Sequence, residues 1–168
     1  RMKNDLMDSI ENFVSGYVEE KGVSMNTTFS LNNLDMPGRG MKGIYTTVTG
    51  TSAEDADCGQ VGRGNRVNGI IPLNGPVSSE AAAGKNPVSH VGKIYNVLSH
   101  RIADRIYSTV PDVEEAYVWL LSDIGAPIDK PKVAAAQLIM KKGNVESVKD
   151  EVTEVIDSEL ENIREFTM

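Results

Sequence analysis

The chain has 168 residues, of which 40% are hydrophobic and 24% charged, and carries a formal net charge of −7. That length suits one ordinary domain or pieces of two small ones, and the acidity argues against nucleic-acid binding, which needs a positive face. No apolar run approaches the roughly 20 residues that span a bilayer, and a single cysteine, Cys58, excludes an internal disulfide. The amino end, Arg1 to Asp8, is polar and lacks the apolar stretch of a signal peptide, so a cytoplasmic protein without a membrane partner is expected.

Leu6, Ile10, Phe13, Val14, Tyr17 and Val18 recur at helical spacing and predict an amphipathic helix over residues 5–20, with Gly22 as its stop. Phe29 and Leu31 alternate with polar residues and predict a strand over 25–31. Pro37-Gly38-Arg39-Gly40 reads as a turn, and the β-branched and aromatic run 44–49 as a second strand. Residues 50–66 form a long loop, followed by a short strand over 67–73. Asn86 can cap a helix whose first position is Pro87. Val91, Ile94, Leu98, Ile102 and Ile106 would then form its apolar stripe. Residues 115–121 and 132–140 predict two strands about a turn containing Gly125 and Pro127. Val145, Val148, Val152, Ile156, Leu160 and Ile163 predict a last amphipathic helix. This order suits an α+β fold, with mainly antiparallel or mixed sheets and amphipathic helices on one face. The small residues of 133–138 would allow close packing on both sides of their strand, a hint of sheet-to-sheet association.

Charge is unevenly spread. Residues 37–93 contain six basic and four acidic side chains, a net +2, which leaves −9 on the remainder, and they hold eleven of the fifteen glycines. A basic, glycine-rich middle in an acidic chain suggests a local anion site, against the plainer reading of turns that carry arginines. Two places could serve. At 85–87, a helix start would point unpartnered amides and the positive end of its dipole outward beside Lys85, which suits a polyphosphate; a helix cap with a solvated lysine is the plain alternative. In the loop 57–66, Arg63 stands between Gly62 and Gly64, which leaves room for a phosphate or planar partner. Arg66 follows, and Asp57 could meet an amine or a metal-bound water. A hairpin held by its own ion pairs would explain the same residues.

Other chemistries find less support. The loop has neither the spacing of a P-loop nor that of a dinucleotide fingerprint. His90 and His100 fall in no metal-ligand pattern with Cys58, and Cys58 has no adjacent base. Trp119, inside a predicted strand, reads as core, and the acidic face Glu151, Glu154, Asp157, Glu159 and Glu161 as a solvated helix surface.

Several contiguous blocks resemble archaeal-type S-adenosylmethionine synthetases. They are Leu34 to Gly40 (LDMPGRG), Thr47 to Glu54 (TVTGTSAE), Gly62 to Gly69 (GRGNRVNG), Glu80 to Val88 (EAAAGKNPV), Tyr95 to Leu98 (YNVL) and Ser122 to Pro127 (SDIGAP). The resemblance runs over nearly the whole chain, in order. It implies a methionine adenosyltransferase that joins methionine to ATP, cleaves the released triphosphate to pyrophosphate and phosphate, uses Mg²⁺ and K⁺, and works as a homodimer. The motif over residues 57–63 implies a substrate contact for Asp57 and a phosphate contact for Arg63. Ala81, Gly84, Lys85 and Pro87 match a second motif, which implies Lys85 on the polyphosphate.

Three departures stand out. Gly64 occupies the place of a lysine that Arg66 could replace; Ser89 stands where a second lysine is expected, with His90 beside it; and Val91 stands where a metal-binding aspartate is expected. Asn86 and His90 complete the implied substrate-binding set. The resemblance also implies that an amino-terminal portion is absent and that 1–168 contains parts of two family domains with a junction near 70–90. Such a piece would be inactive alone. A non-catalytic interaction or dimerisation module is the alternative.

Overall fold

The computed structural model describes residues 1–46, 67, 69, 73–75, 82 and 86–167. The chain divides into two compact units, Arg1–Thr51 and Ser52–Met168.

The first unit is organised on helix α1, Met2–Glu20. Its end is fixed by backbone geometry. Gly22 takes φ +63°, the Gly22 amide donates to the Glu19 carbonyl at 3.0 Å, and the Val23 amide donates to the Val18 carbonyl at 3.2 Å. This paired closure satisfies the last carbonyls of the helix and needs a left-handed residue, which glycine adopts without strain. Lys3 Nζ then pins the following segment to the first turn of α1, at 3.0 Å from Asp35 Oδ2 and 3.2 Å from the Asn32 carbonyl. Residues 36–43 close on themselves through the Met36 amide, which donates to the Gly43 carbonyl at 2.7 Å, and a 3-10 turn spans Gly40–Gly43.

The strand expected over 25–31 does not form. Phe29 and Leu31 are indeed half-buried between exposed neighbours. Alternation reports which side chains turn inward, whereas a strand also needs a neighbouring backbone to complete its ladder, and no described segment supplies one. The described residues of the next expected strand, 44–46, are likewise not a strand, and 47–49 lie outside the described residues; of the strand expected over 67–73, only 67, 69 and 73 are described.

The second unit is built on α2, Val91–Thr109, whose stripe Ile94, Leu98, Ile102 and Ile106 is at most 2% exposed. Burial of each such side chain contributes about 1.5–3 kcal/mol. A left-handed Asp112, φ +58°, turns the chain into β1, Val113–Leu121, which pairs antiparallel with β2, Val133–Met140. The register sets Ala116 against Leu138, Val118 against Ala136 and Trp119 against Ala135. Side chains alternate across a strand. Ala116, Val118, Leu120, Ala136, Leu138 and Met140 therefore pack on the core. Trp119, Leu121, Val133 and Ile139 stay exposed on the other face. The reading of Trp119 as core is thus corrected: it lies on the sheet face that α2 does not cover.

The last expected helix is broken in three. A 3-10 turn, Val145–Val148, leads into α3, Lys149–Glu161, and a short α4, Ile163–Thr167, follows Asn162. Val148, Val152, Val155, Ile156, Leu160 and Ile163 close the core from this side. The fold is α+β, with an antiparallel sheet and amphipathic helices, as the patterning indicates.

Candidate functional site

Of the candidate residues, Asp57, Arg63, Arg66, Ala81 and Lys85 lie outside the described residues. Asn86 and His90 lie within them, at the start of α2, where they form two caps in series.

Asn86 Oδ1 accepts from the amides of Val88 at 2.9 Å and Ser89 at 3.0 Å, and its carbonyl accepts from the His90 amide at 3.3 Å. Pro87 thus opens one isolated turn rather than α2 itself. His90 interrupts it with extended backbone, φ −90° and ψ 106°, and caps the true helix by accepting from the Gly92 amide through Nδ1 at 3.1 Å. The helix begins four residues later than the sequence suggests, because Asn86 satisfies its own local turn and His90, a residue seldom counted among caps, does the same one turn on. Nδ1 accepts here, which puts the ring proton on Nε2. The junction therefore consumes the Val88, Ser89 and Gly92 amides internally, so these three do not point outward to an anion as a helix start at 85–87 would have them do.

The β1–β2 connection, residues 122–132, is tied to α2 through Tyr95. It is a structured loop. The Ala126 amide donates to the Asp123 carbonyl at 3.1 Å around Gly125, φ +88°, and the Lys130 amide donates to the Pro127 carbonyl at 3.0 Å. Asp123 and Lys132 pair at 3.5 Å across its base. Tyr95, one turn into α2, donates its hydroxyl to the Ile128 carbonyl at 2.7 Å. Burial, reinforced by the charge of Asp129, raises the Tyr95 hydroxyl above the ordinary tyrosine range, so it remains a donor at neutral pH.

The sequence also misplaces one carboxylate. Glu159 is 4% exposed rather than solvated. Its two oxygens accept from Arg101 Nε and Arg105 Nη1, each at 2.8 Å. Its spacing with Val152, Val155, Ile156 and Ile163 places it on the inner face of α3, and the i, i+4 arginines of α2 were the available signal. Around the outer face of α3, Asp150, Glu154, Asp157 and Glu161 line a shallow acidic surface. Among the described residues, no group of three or more His, Cys, Asp or Glu comes together. No helix of the described residues is long and apolar enough to cross a membrane.

Comparison with known proteins adds a family. The model of the S-adenosylmethionine synthetase (AdoMet synthetase) family matches residues 1–168. The S-adenosylmethionine synthase of Methanosarcina mazei is 54% identical over 125 residues, which cover 74% of this chain and 31% of the relative. An Aquifex aeolicus protein named "Probable S-adenosylmethionine synthase" is 53% identical over 135 residues, 80% of this chain and 33% of its own. The S-adenosylmethionine synthase of Pyrobaculum aerophilum is 46% identical over 166 residues, 99% of this chain and 40% of its own. The chain spans between 31% and 40% of the length of these relatives.

Proposed function

This chain belongs to the S-adenosylmethionine synthetase family, and from that premise we propose that it is the carboxy-terminal part of a methionine adenosyltransferase. The observation that carries the reading is a family match over all 168 residues, together with relatives named S-adenosylmethionine synthase, one of them as probable, at 53–54% identity. In the proposed reaction the thioether sulfur of methionine forms a bond to C5′ of the ATP ribose as the C5′–oxygen bond breaks. The triphosphate leaves with the bonding pair, and water then cleaves it to pyrophosphate and phosphate.

The chain's own contribution is fixed positive charge. Lys85 and Arg63 hold the polyphosphate, where charge accumulates as the C5′–oxygen bond breaks, and preorganised cations at that place favour the transition state over the ground state. Arg66 and His90 add phosphate contacts, His90 through Nε2–H, the nitrogen that its capping bond leaves as donor. Asp57 takes the methionine amino group or the adenosine, and Ala81 and Asn86 shape the approach. Mg²⁺ and K⁺ enter with the family, and when bound they would add positive charge at the departing triphosphate beside that of Lys85 and Arg63.

The protein is proposed to act as a cytoplasmic homodimer. The exposed apolar stripe Trp119, Leu121, Val133 and Ile139 supports self-association, and it equally supports the second reading, a non-catalytic interaction or dimerisation module. One experiment separates them. The chain alone and the chain extended to the length of its relatives are assayed with ATP and methionine. Product from the extended protein alone is the expected result. Robust product from the 168-residue chain would overturn the claim that it is inactive by itself, and none from either would favour the module.

A further inference from the structure

We propose that residues 25–31 and the exposed stripe of α1 together form a docking surface for a β-strand of the longer polypeptide to which this chain belongs. The strand pairs with the 25–31 backbone, and the sheet it brings covers Leu6, Phe13 and Tyr17. The inference rests on the functional reading above only in taking the chain as part of a longer synthetase.

The first unit lacks a core of its own. Among residues 1–46 only Gly43 is buried, although α1 is amphipathic, and such a helix draws most of its stability from packing its apolar face. Met7, Ile10, Val14 and Val18 are half-buried. Beside them runs a second row at helical spacing, Leu6, Phe13 and Tyr17, which are 48%, 74% and 54% exposed. Single exposed apolar residues are ordinary, whereas a row of them along one helix marks a contact surface.

The backbone defines the kind of partner that fits. α1 rises about 26 Å from Lys3 to Glu20 at ~1.5 Å per residue. Residues 22–32 reach at most about 33–36 Å when fully extended. Since Lys3 Nζ holds the Asn32 carbonyl at 3.2 Å, the segment between runs back along α1, largely extended. Within it Phe29 and Leu31 are half-buried between exposed neighbours. Yet the amides and carbonyls of 24–31 make no backbone hydrogen bond among the described residues. A helix lying along one extended segment with open donors and acceptors is a helix–sheet layer short of the rest of its sheet. Strand addition satisfies the open ladder and the apolar row together. The occupant is the remainder of the same polypeptide. The chain spans only between 31% and 40% of the length of its relatives, and a tethered strand meets the surface at an effective concentration that a separate molecule does not reach.

The test measures amide exchange of residues 25–31 in the chain alone, at two concentrations, and in the protein extended to the length of its relatives. At least every second amide is expected to exchange about 10²-fold more slowly in the extended protein than in the chain alone. Hydroxyl-radical labelling of Phe13 and Tyr17 is expected to fall with it. Phe13→Ala in the extended protein is expected to speed the same amides, and unchanged exchange there would remove the α1 row from the surface. Fast exchange of 25–31 in a folded extended protein would overturn the docking. Protection in the chain alone overturns it too: at both concentrations it puts the partner strand within residues 1–168, and at the higher one only it makes the partner a second copy. Product formation from ATP and methionine is read separately, so an extended protein that protects 25–31 but makes no product keeps the docking and sinks the functional reading.

Discussion

Arg105 on α2 reaches Glu159 on α3 at 2.8 Å, and Arg101, one turn earlier on the same helix, takes the second carboxylate oxygen at the same distance. Glu159 is buried and the two guanidinium groups are about half exposed, so the pair is a hinge pin driven in from the surface. Arg101 also stands 5.4 Å from the centroid of the Phe166 ring, which brings α4 into the same arrangement. Glu159→Ala removes two charged hydrogen bonds but leaves cations that can turn to water. The expected loss is about 1–3 kcal/mol, less than for a fully buried pair. Denaturant titration of wild type, Glu159→Ala and Glu159→Gln measures it, with the glutamine variant falling between the other two.

Gly43 closes the 36–43 loop in a space that admits no side chain. An added Cβ would overlap the Met36 carbonyl oxygen and come within 2.9 Å of Arg39 Cβ. Gly43→Ala must therefore open the loop, at about 1–3 kcal/mol, the range for forced overpacking. The sensitive readout is the exchange rate of the Met36 amide, which donates to the Gly43 carbonyl at 2.7 Å; it is expected to rise, and an unchanged rate would show that the loop absorbs the methyl.

Alkaline stability has a defined sign. Burial first, and then Asp129, raise the Tyr95 hydroxyl. A folded state that holds this proton more tightly than the unfolded chain keeps the full benefit below the unfolded value, about pH 10, and loses it as pH climbs through the higher folded value. Unfolding followed between pH 9 and 12 should thus show a steeper alkaline decline for wild type than for Tyr95→Phe. Tyr117, raised first by its hydrogen bond to Glu115, then by burial and the charge of Glu115, acts in the same direction and remains in both proteins, so their difference isolates Tyr95.

In the length-extended protein, Lys85→Ala is expected to lower turnover by about 10²-fold or more, as for loss of one preorganised charge contact. Single-turnover product formation is the measurement, and a rate equal to wild type removes Lys85 from the site.

The stripe Ile94, Leu98, Ile102 and Ile106 and the hairpin of β1 and β2 were legible because period and burial coincide in them: each apolar residue is apolar for the reason its neighbour three, four or two positions away is. Phe29 and Leu31 show where that logic stops, since a half-buried alternation says nothing of a pairing partner. Trp119 and Glu159 mislead in opposite senses. An aromatic residue in a strand suggests core although its position faces away from it, and a carboxylate in an acidic run suggests solvent although two arginines on another helix hold it inside. In both, residue type points one way and register decides the other. At the candidate site, Asn86 was legible as a cap but not as the cap of its own turn, because the competition between a local turn and a continuing helix is settled by His90, whose imidazole rarely plays that part.

Trp119 has a further use that follows from its place. It is the chain's one tryptophan, and it stands 43% exposed on the side of the two-stranded sheet that faces away from the core. Its indole emission therefore comes from a single known position at a wet surface, and any body that settles on that side will shift the spectrum to shorter wavelength and shield the ring from aqueous quenchers. The molecule contains its own fluorescent gauge of assembly, readable without a label.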